Sequence, residues 1–164
     1  MKILIPLAFL LFAKRKPKAM KADRSALERT IIATALNKGF NNTLAELLVA
    51  QAKLESANFT NNAFLKSNNA FGYKFYANSP YQTGKQIVRS SESDYYADYK
   101  SLADSTAEVL AWLQRREREG KFKIKDLTTA LKYATALKIG NYYGANVEQY
   151  TKGLEMYLRT VKVP

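Results

Sequence analysis

Cysteine and histidine are both absent from the 164 residues. Without cysteine there is no disulfide framework and no thiolate metal site, so the chain tolerates either redox compartment. Without histidine, zinc centres of the usual ligand type and His-based triads are excluded as well. Acid–base chemistry is thereby left to carboxylates, tyrosines and lysines, and neither a metal nor a cofactor is expected. Acids are scarce too, with 14 Asp and Glu against 26 Lys and Arg, a net charge of +12. Half of that excess lies in residues 1–29, which hold eight basic residues and two acids. Such a balance favours polyanions: nucleic acid, an anionic membrane face or a cell-wall polymer. No nucleic-acid motif accompanies the charge, so no specific nucleic-acid partner is expected. There is no internal repeat and no Gly-rich phosphate loop.

What is present suits one globular domain: 47% of the residues are hydrophobic, and the length allows a sizeable core. The chain opens on MKILIPLAFLLFA, followed by the basic cluster Lys14, Arg15, Lys16 and Lys18. Three readings compete for this segment. A secretory signal has the same layout, but the cluster occupies the place of a neutral cleavage site. The eleven residues between Lys2 and Lys14 are short of the ~20 that span a bilayer. The reading preferred is an uncleaved anchor over residues 1–18, its cations on anionic head groups. Residues 19–24 then form a linker, and the folded domain occupies residues 25–164.

Within the domain, Ser25 and Glu28 form a capping-box pattern ahead of a helix ending near Gly39. A second such pattern, Thr43 and Glu46, opens the stretch TLAELLVAQAKLESANF. At ~100° per residue, Leu44, Leu47, Leu48 and Leu54 share one apolar arc, with Glu46 and Lys53 opposite. Glu55 falls inside the apolar arc, with Gln51 one turn before it. Burial disfavours a charged carboxylate, so an inward Glu55 tends toward the proton affinity that a general acid needs. The competing reading is a carboxylate at a helix end that is salt-bridged or reaches water.

Residues 58–84 are rich in Asn, Ser and aromatics and read as loop. Phe64 and Phe71 suit core closure there, Phe71 also serving as a contact for a ligand. Asn69 and Tyr73 suit substrate contact, because amides bond sugar hydroxyls and rings stack on sugar faces. Gly72 would let a ligand approach the backbone closely. Residues 85–99 read as a β-hairpin around Ser90, Ser91, Glu92 and Ser93. A third helix runs from Ser101 to Gln114, and the charged run 115–121 reads as solvated surface. Asp126 is the expected cap of a fourth helix that ends at Gly140, and Asn146 that of a fifth carrying Tyr150 and Leu154.

Several of these pieces together resemble one family. Ala50-Gln51-Ala52-Lys53-Leu54-Glu55-Ser56, then Asn69-Ala70-Phe71-Gly72-Tyr73-Lys74, are similar to the A-Q-A-x-x-E-S and N-x-F-G-x-K motifs of the N-acetylglucosaminidase family of bacterial and phage cell-wall hydrolases. That family is flagellar-type and muramidase-like. The segments YADYKSLADSTAEVLAWL and ALKIGNYYGANVEQYTKGL resemble its later motifs more loosely. The resemblance implies a mainly α (α+β) fold, lysozyme-like, with a small β-hairpin lobe. It implies cleavage of the peptidoglycan glycan strand next to N-acetylglucosamine, with Glu55 as general acid. In that family the β lobe brings a second carboxylate to the cleft. Glu92, Asp94 and Asp98 are available for this, none in a clear match, and Glu92 is the choice. A tyrosine between the last two helices assists catalysis in the family, which leaves Tyr142 and Tyr143 both eligible here. Gln51, Asn69, Phe71, Gly72 and Tyr73 are the expected substrate contacts. The alternatives are a lytic transglycosylase on the same fold, or a non-catalytic, membrane-tethered wall-binding or virion protein. Either way the expected setting is the membrane or cell-wall compartment, in a bacteriophage or a bacterium.

Overall fold

The computed structural model describes residues 23–86 and 95–161. The anchor expected over residues 1–18 and the hairpin-tip acids Glu92 and Asp94 lie outside them. Among the described residues no helix is long and apolar enough to cross a membrane. The elements run α1 (Arg24–Asn37), α2 (Asn42–Glu55), α3 (Asn62–Ser67), β1 (Gln82–Gln86), β2 (Tyr96–Tyr99), α4 (Leu102–Arg118), α5 (Ala130–Ile139) and α6 (Val147–Leu158). A short 3-10 turn, Ile124–Asp126, precedes α5. The fold is mainly helical with one small antiparallel sheet, as the sequence implied.

Helix starts are written in short polar side chains, though not always the expected ones. Asn41 caps α2, its side-chain oxygen accepting from the Leu44 N–H at 2.9 Å. Thr43, expected to be the cap, is therefore already inside the helix. Asp23 likewise displaces Ser25 at α1, accepting from the Ser25 N–H at 3.0 Å. An amide or carboxylate two residues upstream satisfies N–H groups earlier in the chain, so the helix starts earlier. Thr129, not Asp126, caps α5, because Asp126 is taken into the 3-10 turn. Asn146 caps α6 as expected, and Ser101 caps α4. The residues read as loop after Asn58 contain the short helix α3, started by Asn61.

The buried stretch of α2 covers almost every position from Leu44 to Lys53. A helix buried on all sides is a core element rather than a surface one. α1 packs on one side of it and α6 on another, with α4 behind α1 and α5 beside α6. The outward position expected for Lys53 is corrected by this packing. Its ammonium lies 2.6 Å from the Glu28 carboxylate on α1 and donates to Thr160 at 2.9 Å. The periodicity was sound, but a second layer covers the face it left polar.

The sheet pairs Gln82 with Tyr99 and Gln86 with Tyr96, with a bulge between Gln82 and Gly84. Glu108 of α4 ties this lobe to the helices. It accepts from the Tyr99 hydroxyl at 2.8 Å and from the Gln82 amide at 2.9 Å.

Candidate active site

Glu55 is the last residue of α2, and an unusual turn holds it there. Ala57, Asn58 and Phe59 all have positive φ, between 50° and 63°. Each such residue costs about 1–2 kcal/mol if it is not glycine. Hydrogen bonds offset that strain. The Ser56 hydroxyl accepts from the Phe59 N–H at 2.8 Å, and the Asn61 amide donates to the Glu55 carbonyl at 2.8 Å. Strain concentrated beside one carboxylate is typical of functional positions.

The carboxyl itself faces a cleft of about 350 Å³. Residues 71–76, Trp112 and Arg115 of α4, and residues 141–143 line the rest of it. Burial pushes the Glu55 carboxyl above its usual proton affinity, and a hydrogen bond from Tyr150 partly opposes this. The Tyr150 hydroxyl donates to Oε1 of Glu55 at 2.6 Å. Placement at a helix C-terminus adds to the effect of burial, because the negative end of the dipole also disfavours a carboxylate. Tyr150 has its own proton held tightly, by burial and then by the nearby Glu55 charge. It acts as a donor only.

With Oε1 occupied, Oε2 is the oxygen left to carry a transferable proton. Gly72, with φ of +65°, sits beside it, and a Cβ there would come within 3.5 Å of Oε2. The missing side chain thus opens a path to the acid. The turn that presents Gly72 is latched by Asn69. Its amide donates to the carbonyls of Tyr73 at 2.9 Å and Ala97 at 3.0 Å, while its oxygen accepts from the Tyr73 N–H.

Phe71, Gly72, Tyr73, Tyr142 and Tyr143 therefore share one cleft with Glu55. Asn69 and Gln51 do not. Asn69 is 1% exposed and spends its side chain on the turn. Gln51 is fully buried and accepts from the Tyr133 hydroxyl. Both position the site from behind. Tyr142 donates to the Phe71 carbonyl at 2.6 Å, and its ring meets Tyr73 and Trp112 edge-on. Tyr143 donates to the Ala134 carbonyl at 2.9 Å and stacks on Tyr150, with the ring centroids 3.9 Å apart. Tyr143 thus backs the tyrosine that holds Glu55. Asp98 lies on β2 near Gly84 and is not part of the cleft lining.

Tyr150, Trp112 and Arg115 are among the residues that escaped sequence reasoning. Tyr150 read as a member of an apolar helix face, Arg115 as part of a solvated run, and Trp112 drew no reading as a site residue. For Tyr150, one signal was available: a hydroxyl placed among Val147 and Leu154 needs a buried partner.

Comparison with known proteins agrees with this fold. The fold is shared with a chain in a type VI secretion effector–immunity complex from Pseudomonas protegens, at TM-score 0.60 and 18% identity over 85% of this chain and 94% of that one. A peptidoglycan hydrolase from Sphingomonas sp. A1 gives TM-score 0.60 and 19% identity, over 83% and 94% of the two chains. The catalytic domain of the autolysin Auto from Listeria monocytogenes gives 0.57 and 19%, over 84% and 83%. No curated protein sequence matches the chain. The family model for Glucosaminidase, described as mannosyl-glycoprotein endo-beta-N-acetylglucosaminidase, matches residues 32–162. That match takes in every helix from α2 onward, the Glu55 turn and the cleft, and the chain belongs to the glucosaminidase family of glycoside hydrolases.

Proposed function

We propose that the protein hydrolyses the glycan strand of peptidoglycan on the reducing side of N-acetylglucosamine, with Glu55 as general acid. The observation that carries this reading is the Glu55 carboxyl, desolvated in a cleft wall with one oxygen fixed by Tyr150 and the other beside Gly72. Two of the similar folds belong to a peptidoglycan hydrolase and an autolysin, which supports the choice of polymer. The basic balance of the chain suits an anionic wall as well.

In the reaction, Oε2 gives its proton to the glycosidic oxygen as the bond from that oxygen to the anomeric carbon breaks. The resulting oxocarbenium-like centre takes a water, whose proton leaves to a base. The base we assign is Glu92, which lies in sequence between β1 and β2. If it does not serve, the acetamido group of the sugar can stabilise the cation instead. The half-buried ring of Tyr73 offers a face for the apolar side of a sugar, with the buried Trp112 packed behind the cleft. Cleavage in this manner serves wall remodelling in a bacterium or passage of a wall by a phage.

Mass spectrometry of digested sacculi tests the reaction type. Reducing-end N-acetylglucosamine that has gained the mass of water is the expected product. Anhydro-sugar ends would instead establish a transglycosylase, using the same acid without water. Glu92→Gln should lower turnover by roughly 10²-fold, the lower end of what one acid–base group contributes, and unchanged turnover would remove Glu92 from the mechanism.

Tyr150 sets the pH range. Its hydrogen bond favours the charged form of Glu55, so Tyr150→Phe should let the acid hold its proton to higher pH. A general acid works while protonated, and activity declines as pH rises through its pKa. The alkaline limb of kcat/KM should therefore move upward in Tyr150→Phe, while the ring stack with Tyr143 is kept. A downward movement of that limb would contradict the arrangement.

A further inference from the structure

The charge pattern of the cleft is unexpected for a site that must stabilise a cationic transition state. Among the described residues lining it, Glu55 is the one acid, and burial favours its neutral form. Lys74 and Arg115 are the cations of the same lining. A cleft built only for a neutral sugar chain has no use for that sign. A substrate bearing its own carboxylates does.

Arg115 is the more informative of the two. It stands one turn after Trp112 on α4, on the same face of the helix, with Trp112 nearly buried at 5% exposure and Arg115 exposed. Its neighbour Arg116 is committed elsewhere, 2.7 Å from Glu119 and over the Trp112 ring. Arg115 makes no ion pair and no ring contact among the described residues. An arginine presents a planar fork of donors that fits a carboxylate with two parallel hydrogen bonds. Trp112 and Tyr142, packed edge-on at 5.3 Å, provide the apolar wall beside it.

We infer that Arg115 is a specificity-determining residue, binding a carboxylate carried by the sugar chain while Glu55 acts on the neighbouring glycosidic bond. The inference rests on the peptidoglycan reading above. Two sources supply such a group: the lactyl substituent of a peptide-free strand, or the acidic stem peptide of a substituted one. Uncharged polymers of N-acetylglucosamine supply neither. A purely structural role for Arg115, in which it only faces the C-terminal dipole of α4, makes no demand on the substrate.

The test compares substrates that differ only in whether their carboxylates are charged. Peptide-free strands and peptide-bearing strands are each prepared with carboxylates free and with carboxylates capped as neutral methylamides. Wild type, Arg115→Gln and Arg115→Lys are then assayed for kcat and KM on all four. Wild type should prefer the free form by roughly five- to tenfold, expressed in KM, as one partly exposed charged contact permits. Arg115→Gln should lose that preference, and Arg115→Lys should keep part of it. Preference on peptide-free strands alone assigns the lactyl group, and preference on peptide-bearing strands alone assigns the stem. A wild-type enzyme indifferent to capping, or a Gln variant that keeps the full preference, overturns the inference. Failure of wild type to cut any strand would instead overturn the peptidoglycan reading itself.

Discussion

Glu55→Gln should fold normally and lose wall-clearing activity by at least the ~10²–10⁴ that acid catalysis contributes. The amide is nearly isosteric, and its oxygen can still accept from the Tyr150 hydroxyl, so the turn after α2 keeps its geometry. What disappears is the proton on the oxygen beside Gly72. A zymogram on purified peptidoglycan, with wild type alongside, reads the loss directly, and clearing at wild-type level would end the assignment. The same variant carries a second, independent signature in stability. Burial raises the folded-state pKa of Glu55 above its usual value of 4.5. The native protein therefore binds that proton more tightly than the unfolded chain does. The stabilisation is fully present below about pH 4.5 and is lost as pH rises through the folded pKa. Glutamine does not titrate. Denaturant melts should show Glu55→Gln gaining on wild type as pH rises from 4 to 7, each tenfold of native proton affinity being worth about 1.4 kcal/mol. Parallel pH profiles for the two proteins would mean that the carboxyl is not desolvated.

The largest loss of stability is expected at Lys53, a residue with no part in the chemistry. Its side chain is 6% exposed and that of its partner Glu28 13%, with 2.6 Å between the ammonium and the carboxylate. Lys53→Ala leaves the carboxylate shielded from water and without a counter-charge, a change worth about 3 kcal/mol at the lower end for buried pairs. For a domain of this size that corresponds to a fall of roughly 10 °C in Tm. It also unties α1 from α2 and from the chain after α6, since Lys53 donates to Thr160 as well. Replacing both partners, as Glu28→Gln with Lys53→Met, should recover most of the loss, because no uncompensated charge remains. Two residues apart on a helix point ~200° from each other, so activity at low temperature should survive in Lys53→Ala. A Tm drop of under two degrees would show the pair to be solvated.

These two residues also mark how far the sequence could be read. Glu55 was legible because a charge out of phase with its helix is visible in the phase alone, and the motif around it is local. The helices of the domain were legible for the same reason, being capped and periodic over a few residues. Their first residues were less so: Asn41, Asp23 and Thr129 compete with nearby alternatives for the same N–H groups, and backbone geometry settles the competition. Lys53 was misjudged because a helical wheel records which face is polar, and not whether another helix covers it. Asn69 and Gln51 carried the right motifs but turn inward, where their amides bond the backbone of the turn and a buried tyrosine.

Sequence by itself determined the family, the helical framework with its small sheet, and the inward placement of Glu55, since each depends on residues within a few turns of one another. The tertiary structure alone decided what surrounds that acid. Tyr150 reaches it from 95 positions along the chain, Gly72 opens its second oxygen, and Arg115 enters the cleft from a run that looked like plain surface. Desolvation and hydrogen bonding act over a few ångströms of space, and chain separation carries no record of which distant residues will share them.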